Sequence, residues 1–161
     1  MAIRKILTGS HPALRSKSSA VKKINQAVLK LLEDMAETMY EYKGVGLAAP
    51  QIGINRRLIV LDPGEERLMK LINPRLVEME GTEAGPEGCL SLPGLYGEVP
   101  RAASVVVEAL DPAGKPLRIE AEGFLARILQ HEIDHLEGTL FIDRAVRLFD
   151  PEEEPPGEKP I

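Results

Sequence analysis

Two of the chain's three histidines bracket a glutamate in the segment 131–135, whose sequence is His-Glu-Ile-Asp-His. On a helix, residues four positions apart lie one turn above each other, so His131 and His135 can bind a single metal ion. Glu132 lies beside this face without ligating, where it can exchange a proton with a metal-activated water. The spacing therefore predicts a divalent metal site on a helix, with a carboxylate placed for acid–base chemistry.

The two histidines leave such an ion short of a third protein ligand, for which the candidates are Cys89, Asp143 and the acidic residues after position 150. Cys89 is the only cysteine and stands in the segment 87–91, EGCLS, among glycine and turn residues. A lone cysteine is usually a small buried apolar residue, but this setting and the metal motif elsewhere favour a thiolate ligand. Two histidines and one cysteine leave a fourth position open for water, as in catalytic sites.

A third segment, 44–53 (GVGLAAPQIG), is rich in small residues and lacks the Gly-Lys-Ser/Thr sequence of a phosphate-binding loop. Small residues let another group approach the backbone closely, and Gln51 supplies an amide donor. On its composition alone, the segment is also compatible with a tight turn packed on a helix.

Taken together and in this order, the three segments resemble the motifs of the peptide deformylases. The resemblance covers residues 1–149, with further similarity at 12–15 (PALR), 99–101 (VPR) and 137–138 (EG). It implies an α+β fold in which antiparallel strands pack around a metal-bearing helix. It also implies an enzyme that removes the formyl group from the N-terminal formyl-methionine of newly synthesised polypeptides and releases formate.

The resemblance further implies roles for individual residues. One Fe(II) per chain, with Zn, Ni or Co as possible substitutes, is assigned to three ligands: Cys89, His131 and His135. Glu132 matches the family's general acid and base. Gln51 and the backbone N–H of Leu90 match the groups that hold the carbonyl oxygen during attack.

Specificity for methionine requires an apolar pocket beside the metal. Phe124 and Ile128 lie within about 60° of the histidine face of their predicted helix, which favours them as pocket residues. The same positions are compatible with ordinary core packing. Tyr96 and Arg101 are candidates for contacts with the peptide backbone. The full set of expected substrate-binding residues is Val45, Gly46, Tyr96, Phe124 and Ile128.

The elements that must position these residues follow from hydrophobic periodicity. Apolar residues recur at three- and four-residue steps from Asn25 to Tyr42, which predicts a long N-terminal helix with Asn25 as its N-cap. A second helix is predicted over 124–136. Extended segments are predicted at 57–61 and at 68–77, the latter interrupted by Asn73-Pro74. The segments 104–110 and 117–121 flank a turn sequence, which predicts a hairpin.

The composition predicts a single catalytic domain, residues 1–149, followed by a disordered segment, 150–161. This last segment is rich in proline and acidic residues, so it cannot bury enough apolar surface to offset its ordering entropy. One cysteine excludes an intramolecular disulfide, and no apolar run approaches the length of a membrane span. The expected location is the cytoplasm, with no membrane contact.

The net charge of −5 argues against nucleic-acid binding through bulk positive charge, and no sequence-specific contact with nucleic acid is expected. The first 32 residues nevertheless carry Lys and Arg without any acidic residue. Because the resemblance implies nascent polypeptides as substrates, this basic stretch is a candidate for transient contact with the ribosome.

Three other interpretations stay open at this point. A metallopeptidase also uses the His-Glu-x-x-His motif, but it would require a carboxylate as the third ligand. A cysteine hydrolase would use Cys89 as its nucleophile together with a histidine. A non-catalytic binding module stabilised by a metal would have no structural task for Glu132.

Overall fold

The computed structural model describes residues 2–150 and 161, which form two α-helices and eight β-strands. The helices are α1 (Gln26–Glu41) and α2 (Gly123–Leu136). The strands are β1 (Gly46–Ala48), β2 (Leu58–Leu61), β3 (Met69–Glu80), β4 (Glu83–Cys89), β5 (Leu92–Arg101), β6 (Ser104–Leu110), β7 (Pro116–Glu122) and β8 (Arg147–Phe149). Short 3-10 helices cover Pro12–Arg15, Ala49–Ile52 and Phe141–Asp143.

The strands form two antiparallel sheets. Five strands pair in the order β1-β2-β3-β6-β7, and three pair in the order β4-β5-β8. Strand β1 is therefore one edge of the larger sheet, and β4 is one edge of the smaller sheet. This mixture of helices and antiparallel strands confirms the predicted α+β class.

Strand β2 explains how the larger sheet carries a helix on each face. All four of its residues are fully buried, and they alternate between two apolar clusters. Leu58 and Val60 belong to the cluster that contains residues of α1, whereas Ile59 and Leu61 belong to the cluster that contains residues of α2. Successive strand side chains point to opposite faces, so α1 and α2 cover opposite sides of this sheet.

Helix α1 reproduces the helix that the periodicity predicts from 25 to 42. The side chain of Asn25 accepts a hydrogen bond from the Val28 N–H at 3.0 Å, which satisfies one free donor at the helix start. Leu32, Met35 and Met39 are fully or almost fully buried on its apolar face. The face therefore serves as core.

Helix α2 lies between the two sheets, and every residue from 128 to 136 is buried. Its apolar side chains pack against the larger sheet. Its polar side chains reach the smaller sheet, where the Arg127 guanidinium donates to the Val99 carbonyl at 2.9 Å. Gln130 likewise donates to the Ala102 carbonyl at 3.0 Å, just beyond β5. Polar groups in a buried helical segment are normally paired, so the partners of the polar side chains in 128–136 bear on the functional site.

The prediction of an interruption at Asn73-Pro74 is wrong, because β3 continues through both residues. The register between β3 and β6 shifts between Ile72 and Arg75, which marks a bulge. Asn73 takes a left-handed conformation (φ 53°), and its side chain pairs with the backbone N–H and C=O of Val21. The bulge accommodates Pro74, which has no N–H for the ladder.

The predicted hairpin is confirmed as β6 and β7, with Asp111 accepting hydrogen bonds from the N–H groups of Ala113 and Lys115 in the turn. The segment predicted to be disordered falls mostly on residues 151–160, which lie outside the described residues. Ile161 is described and is 1% exposed. Neither helix among the described residues has the length and apolarity that a membrane crossing requires.

Candidate metal centre

Three side chains with metal-binding atoms meet where β4 ends against α2. Cys89 is the last residue of β4, and His131 and His135 lie one turn apart on α2. The ligand atoms of the three residues all lie within 4.8 Å of one another, and all three residues are buried. The structure therefore contains a Cys-His-His metal site. The spacing of the histidines and the unusual setting of the cysteine predicted this group.

The separation of these atoms fits a bound ion. Cys89 Sγ lies 3.4 Å from His135 Nε2, and two such ligands around a tetrahedral ion are separated by about 3.6 Å. His131 Nε2 is buried and has no hydrogen-bond partner among the described residues, so its lone pair is available to a metal. A buried polar atom without a partner is costly, and a metal ion would remove that cost.

The protonation states of the ligand side chains without a metal also fit a metal site. Burial, together with the neighbouring His131, keeps the pKa of His135 well below its usual range, so this imidazole is neutral and can ligate. Burial raises the pKa of Cys89 to about 12, so the thiol keeps its proton until a cation displaces it. Metal binding at this site therefore releases a proton from Cys89.

Glu87 orients the imidazole ring of His131 through a hydrogen bond. His131 Nδ1 lies 2.8 Å from Glu87 Oε1, and both side chains are buried. An ionised carboxylate can only accept, so the hydrogen of His131 lies on Nδ1. The Nε2 lone pair is then free for the metal, which is the arrangement found in carboxylate–histidine–metal sites.

Two arginines hold Glu87 in its charged form. Arg101 donates to both carboxylate oxygens at 2.9 and 2.8 Å, and Arg127 donates to Oε2 at 2.7 Å. Burial alone would raise the pKa of Glu87, but the hydrogen bonds from Arg101 and His131 outweigh it and lower this pKa strongly. Arg101 also binds Asp134 at 2.6 Å, and Arg144 binds the same carboxylate. The buried charges thus form a connected network.

Glu132 differs from Glu87 in having no partner. Glu132 is 0% exposed, and neither of its carboxylate oxygens has a hydrogen-bond partner among the described residues. Burial raises the pKa of Glu132 well above its usual range, and the negative charge of Glu87 adds to this effect. A carboxyl group with a raised pKa beside a metal site is suited to accept and return a proton.

Gly46 in β1 makes room for Glu132. A Cβ atom at position 46 would lie 2.5 Å from Glu132 Oε2, closer than any carbon–oxygen contact allows. Only glycine at this position lets the carboxyl group approach the strand so closely. The structure therefore places Gly46 against the acid–base candidate.

Gln51 reaches the metal site from the 3-10 helix that follows β1. Its Oε1 accepts from the Ala48 N–H at 3.0 Å, which fixes the orientation of the amide. Its Nε2 donates to Ser91 Oγ at 3.1 Å and lies 3.7 Å from Cys89 Sγ. The amide donor expected to hold a carbonyl oxygen is therefore adjacent to a metal ligand. Leu90 follows Cys89 directly, and its side chain packs against Gly44.

The expected pocket residues occupy different environments. Val45 and Ile128 are buried members of one apolar cluster, whereas Phe124 is 46% exposed and is not part of that cluster. Tyr96 packs over Gly88 and stacks on Phe149 with ring centroids 6.4 Å apart. The roles of these residues in substrate binding stay predictions.

Two other expectations about single residues are not supported. Asp143 does not join the metal site but binds Arg15 and the Leu140 N–H. Arg101 is 5% exposed and is engaged by Glu87 and Asp134, so it supports the metal site instead of contacting a peptide. Sequence reasoning missed the network around Glu87, although the position of Glu87 two residues before a ligand was a usable signal.

The fold and the site together indicate a metal-dependent hydrolase, since three side chains could hold an ion and a carboxyl group without a hydrogen-bond partner among the described residues follows the first histidine. Residues 3–150 match the polypeptide deformylase family. The chain belongs to this family, whose members remove the N-formyl group from N-terminal formyl-methionine of new polypeptides. Neither the metallopeptidase nor the non-catalytic interpretation is favoured by this finding.

Individual relatives agree with this assignment. The chain is 51% identical over 156 residues to a peptide deformylase of Pelotomaculum thermopropionicum, covering 96% of this chain and 100% of that protein. It is 55% identical over 153 residues to one from Caldanaerobacter subterraneus, covering 95% and 96% of the two chains. The crystal structure of peptide deformylase from Thermotoga maritima superposes with a TM-score of 0.88 at 41% identity, covering 90% and 99%.

Proposed function

We propose that Cys89, His131 and His135 hold one Fe(II), that Glu132 is the general acid and base of deformylation, and that Gln51 and Leu90 stabilise the developing oxyanion. The observation that carries this proposal is the buried Glu132 carboxyl group, which lies beside the ligands and has no hydrogen-bond partner among the described residues. A bound divalent ion supplies a Lewis acid for the formyl oxygen and activates a water for attack.

The remaining chemistry belongs to side chains and backbone groups of this chain. Glu132 takes a proton from the attacking water and returns it to the leaving amine. Its burial supports this role, because a raised pKa favours holding the proton between the two transfers. The Gln51 amide and the Leu90 N–H donate to the oxygen on which negative charge develops. The fixed orientation of the Gln51 amide supports its part.

The substrate cleft is proposed to lie between the free edges of β1 and β4. Gly46 of β1 packs against Glu132, and Cys89 ends β4, so both edges reach the metal site. An extended peptide can pair with free strand edges while its side chain enters an adjacent pocket. Val45 and Ile128 line the apolar part of this cleft in the proposal, and Phe124 and Tyr96 lie at its rim.

The test of this function is formate release from formyl-Met-Ala-Ser by protein purified without oxygen. Glu132→Gln keeps the shape of the side chain and removes its basicity, so we expect kcat to fall by about 10²- to 10⁴-fold. Metal content is measured in both proteins. Unchanged activity in a metal-loaded Glu132→Gln variant would refute the role of Glu132, and no formate from metal-loaded wild type would refute deformylation by this chain.

The identity of the metal is tested by loading the same protein with Fe(II), Zn, Ni or Co. A thiolate ligand beside an open position makes the iron form sensitive to oxidation. We therefore expect the iron form to lose activity in air and the nickel form to keep it. An iron form that survives prolonged exposure to air and peroxide would favour another metal as the native one.

We also propose that the protein acts in the cytoplasm on nascent polypeptides and touches the ribosome transiently through its basic N-terminal stretch. Lys17, Lys22 and Lys23 are exposed in this stretch. Replacing Lys22 and Lys23 with Glu should weaken co-sedimentation with ribosomes and leave formate release from a short peptide unchanged. Equal co-sedimentation of both proteins would refute this contact.

A further inference from the structure

Ile161 lies in the structure in the manner of a bound peptide residue. Its side chain is 1% exposed and belongs to the apolar cluster that contains Val45 and Ile128. Its backbone N–H donates to the Gly88 carbonyl at 3.0 Å. Gly88 directly precedes the metal ligand Cys89, so this hydrogen bond connects Ile161 to the backbone beside the metal site.

The strand that receives Ile161 has a free edge. In the order β4-β5-β8, the only strand among the described residues that pairs with β4 is β5. A free edge offers unpaired backbone groups to another extended segment, and peptide ligands exploit such edges by adding a backbone hydrogen bond and burying alternate side chains. Ile161 does both, because it pairs with Gly88 and buries its side chain.

The chain connection makes this contact easy to form. Phe149 in β8 is opposite Tyr96 in β5, and Tyr96 is opposite Gly88 in β4. Neighbouring strands are about 4.8 Å apart, so Phe149 lies about 10 Å from Gly88. The length of chain from Phe149 to Ile161 can reach about 40 Å at most, which is roughly four times that span. A short tether of this kind gives a local concentration on the order of millimolar.

We propose that Ile161 occupies the subsite of the substrate's first side chain, so that this chain competes with formylated peptides for its own metal cleft. The inference rests on the proposed function of that cleft. An isoleucine side chain and one backbone hydrogen bond bind weakly, so a millimolar local concentration gives partial occupancy. Partial occupancy raises KM for the peptide and leaves kcat unchanged, since bound substrate displaces Ile161 before the reaction.

The kinetic test compares Ile161→Ser and Ile161→Met with wild type in the full chain. Ile161→Ser removes the apolar contact, and we expect KM for formyl-Met-Ala-Ser to fall by about two- to fivefold at constant kcat. Ile161→Met gives the subsite a side chain like that of the substrate, and we expect KM at or above the wild-type value. The matched control is Ile3→Ser, because Ile3 is 49% exposed and should leave KM unchanged.

A second measurement does not depend on activity. Because the occupancy is partial, the Ile161 amide should exchange its hydrogen about two- to fivefold more slowly in the free protein than after addition of excess product peptide Met-Ala-Ser. Fast exchange that does not respond to the peptide would overturn the proposal, and so would equal KM values for wild type and Ile161→Ser. Absence of formate from every protein, with slow and peptide-sensitive exchange, would refute the proposed function and leave the occupancy of the subsite intact.

Discussion

The two helices cover opposite faces of the same sheet but bury different kinds of side chain. Helix α1 buries a mostly apolar face, in which Leu32, Met35 and Met39 pack against β2. It also buries two polar residues, Asp34 and Thr38, whose oxygens accept hydrogen bonds from the Ala2 and Arg4 N–H groups. Helix α2 buries five polar or charged residues, and two of them, His131 and His135, belong to the Cys-His-His group. The side of the sheet that carries the metal site therefore buries more polar groups.

The polar groups of α2 separate into two sets. Gln130, Asp134 and one nitrogen of His131 have hydrogen-bond partners in the smaller sheet and its neighbouring loops. Glu132, His131 Nε2 and His135 Nδ1 have none among the described residues. Buried groups are normally paired, and of this second set His131 Nε2 and the Glu132 carboxyl group lie where the proposed metal and substrate would bind. The difference between the helices can be tested by substitutions on both sides of the sheet.

The largest effect is expected for a metal ligand on α2. His135→Ala removes one of three ligands, so we expect loss of the bound metal and a fall in formate release of more than about a hundredfold. His11→Ala is the matched control, because His11 is exposed and only accepts a hydrogen bond from the Ala13 N–H. Metal content by mass spectrometry and initial rates provide the measurements. Full metal content in His135→Ala would contradict the ligand assignment.

A smaller effect is expected for the residue that orients a ligand. Glu87→Gln leaves His131 with a weaker acceptor and removes the charge that balances Arg101, so metal affinity should fall by about 10- to 100-fold. Arg101 keeps its contact with Asp134 but loses the charge of Glu87, which should also lower the free energy of unfolding by up to about 3–5 kcal/mol. Competition with a chelator and denaturant unfolding measure the two effects.

The control for Glu87→Gln is Glu83→Gln on the same strand. Glu83 is exposed, and its described contact is a backbone carbonyl that accepts from Arg127. It should therefore keep wild-type metal affinity and stability. Equal metal affinity in Glu87→Gln and Glu83→Gln would show that the His131 orientation does not depend on Glu87.

On the α1 side, a substitution should change stability alone. Met35 is 0% exposed, so Met35→Ala leaves a cavity and should lower the free energy of unfolding by about 2–5 kcal/mol. Met79→Ala is the matched control, since Met79 is 61% exposed and should change stability by less than about 0.5 kcal/mol. Metal content and kcat of the folded protein should be unchanged in both. A selective loss of metal in Met35→Ala would mean that the two faces are coupled.

How far the sequence predicted these regions depends on the distance between interacting residues. The histidines of α2 and the cap of α1 are local patterns within one or two turns, and both are confirmed. The contact between Glu87 and His131 joins residues 44 positions apart, which no local pattern reveals. The same limit explains the error at Asn73, whose side chain pairs with Val21 from a distant segment. Local spacing therefore identified the two histidines, and only the fold identified the residues that support them.

The smallest effect is expected for the buried carboxylate of α1 and depends on pH. Burial alone would raise the pKa of Asp34, but hydrogen bonds from the Ala2 N–H and the Arg4 guanidinium outweigh it and lower this pKa. A carboxyl group with a lowered pKa in the folded protein stabilises it above its unfolded pKa of about 3.9, and this contribution is lost as pH falls through the folded value. Because Arg4 is partly exposed, Asp34→Asn should reduce stability by about 1 kcal/mol at pH 7.

The difference in Tm from wild type should shrink below about pH 4, whereas Glu33→Gln, an exposed neighbour on α1, should show no such dependence. A Tm difference that stays constant down to pH 3 would mean that Asp34 contributes through packing and not through its charge.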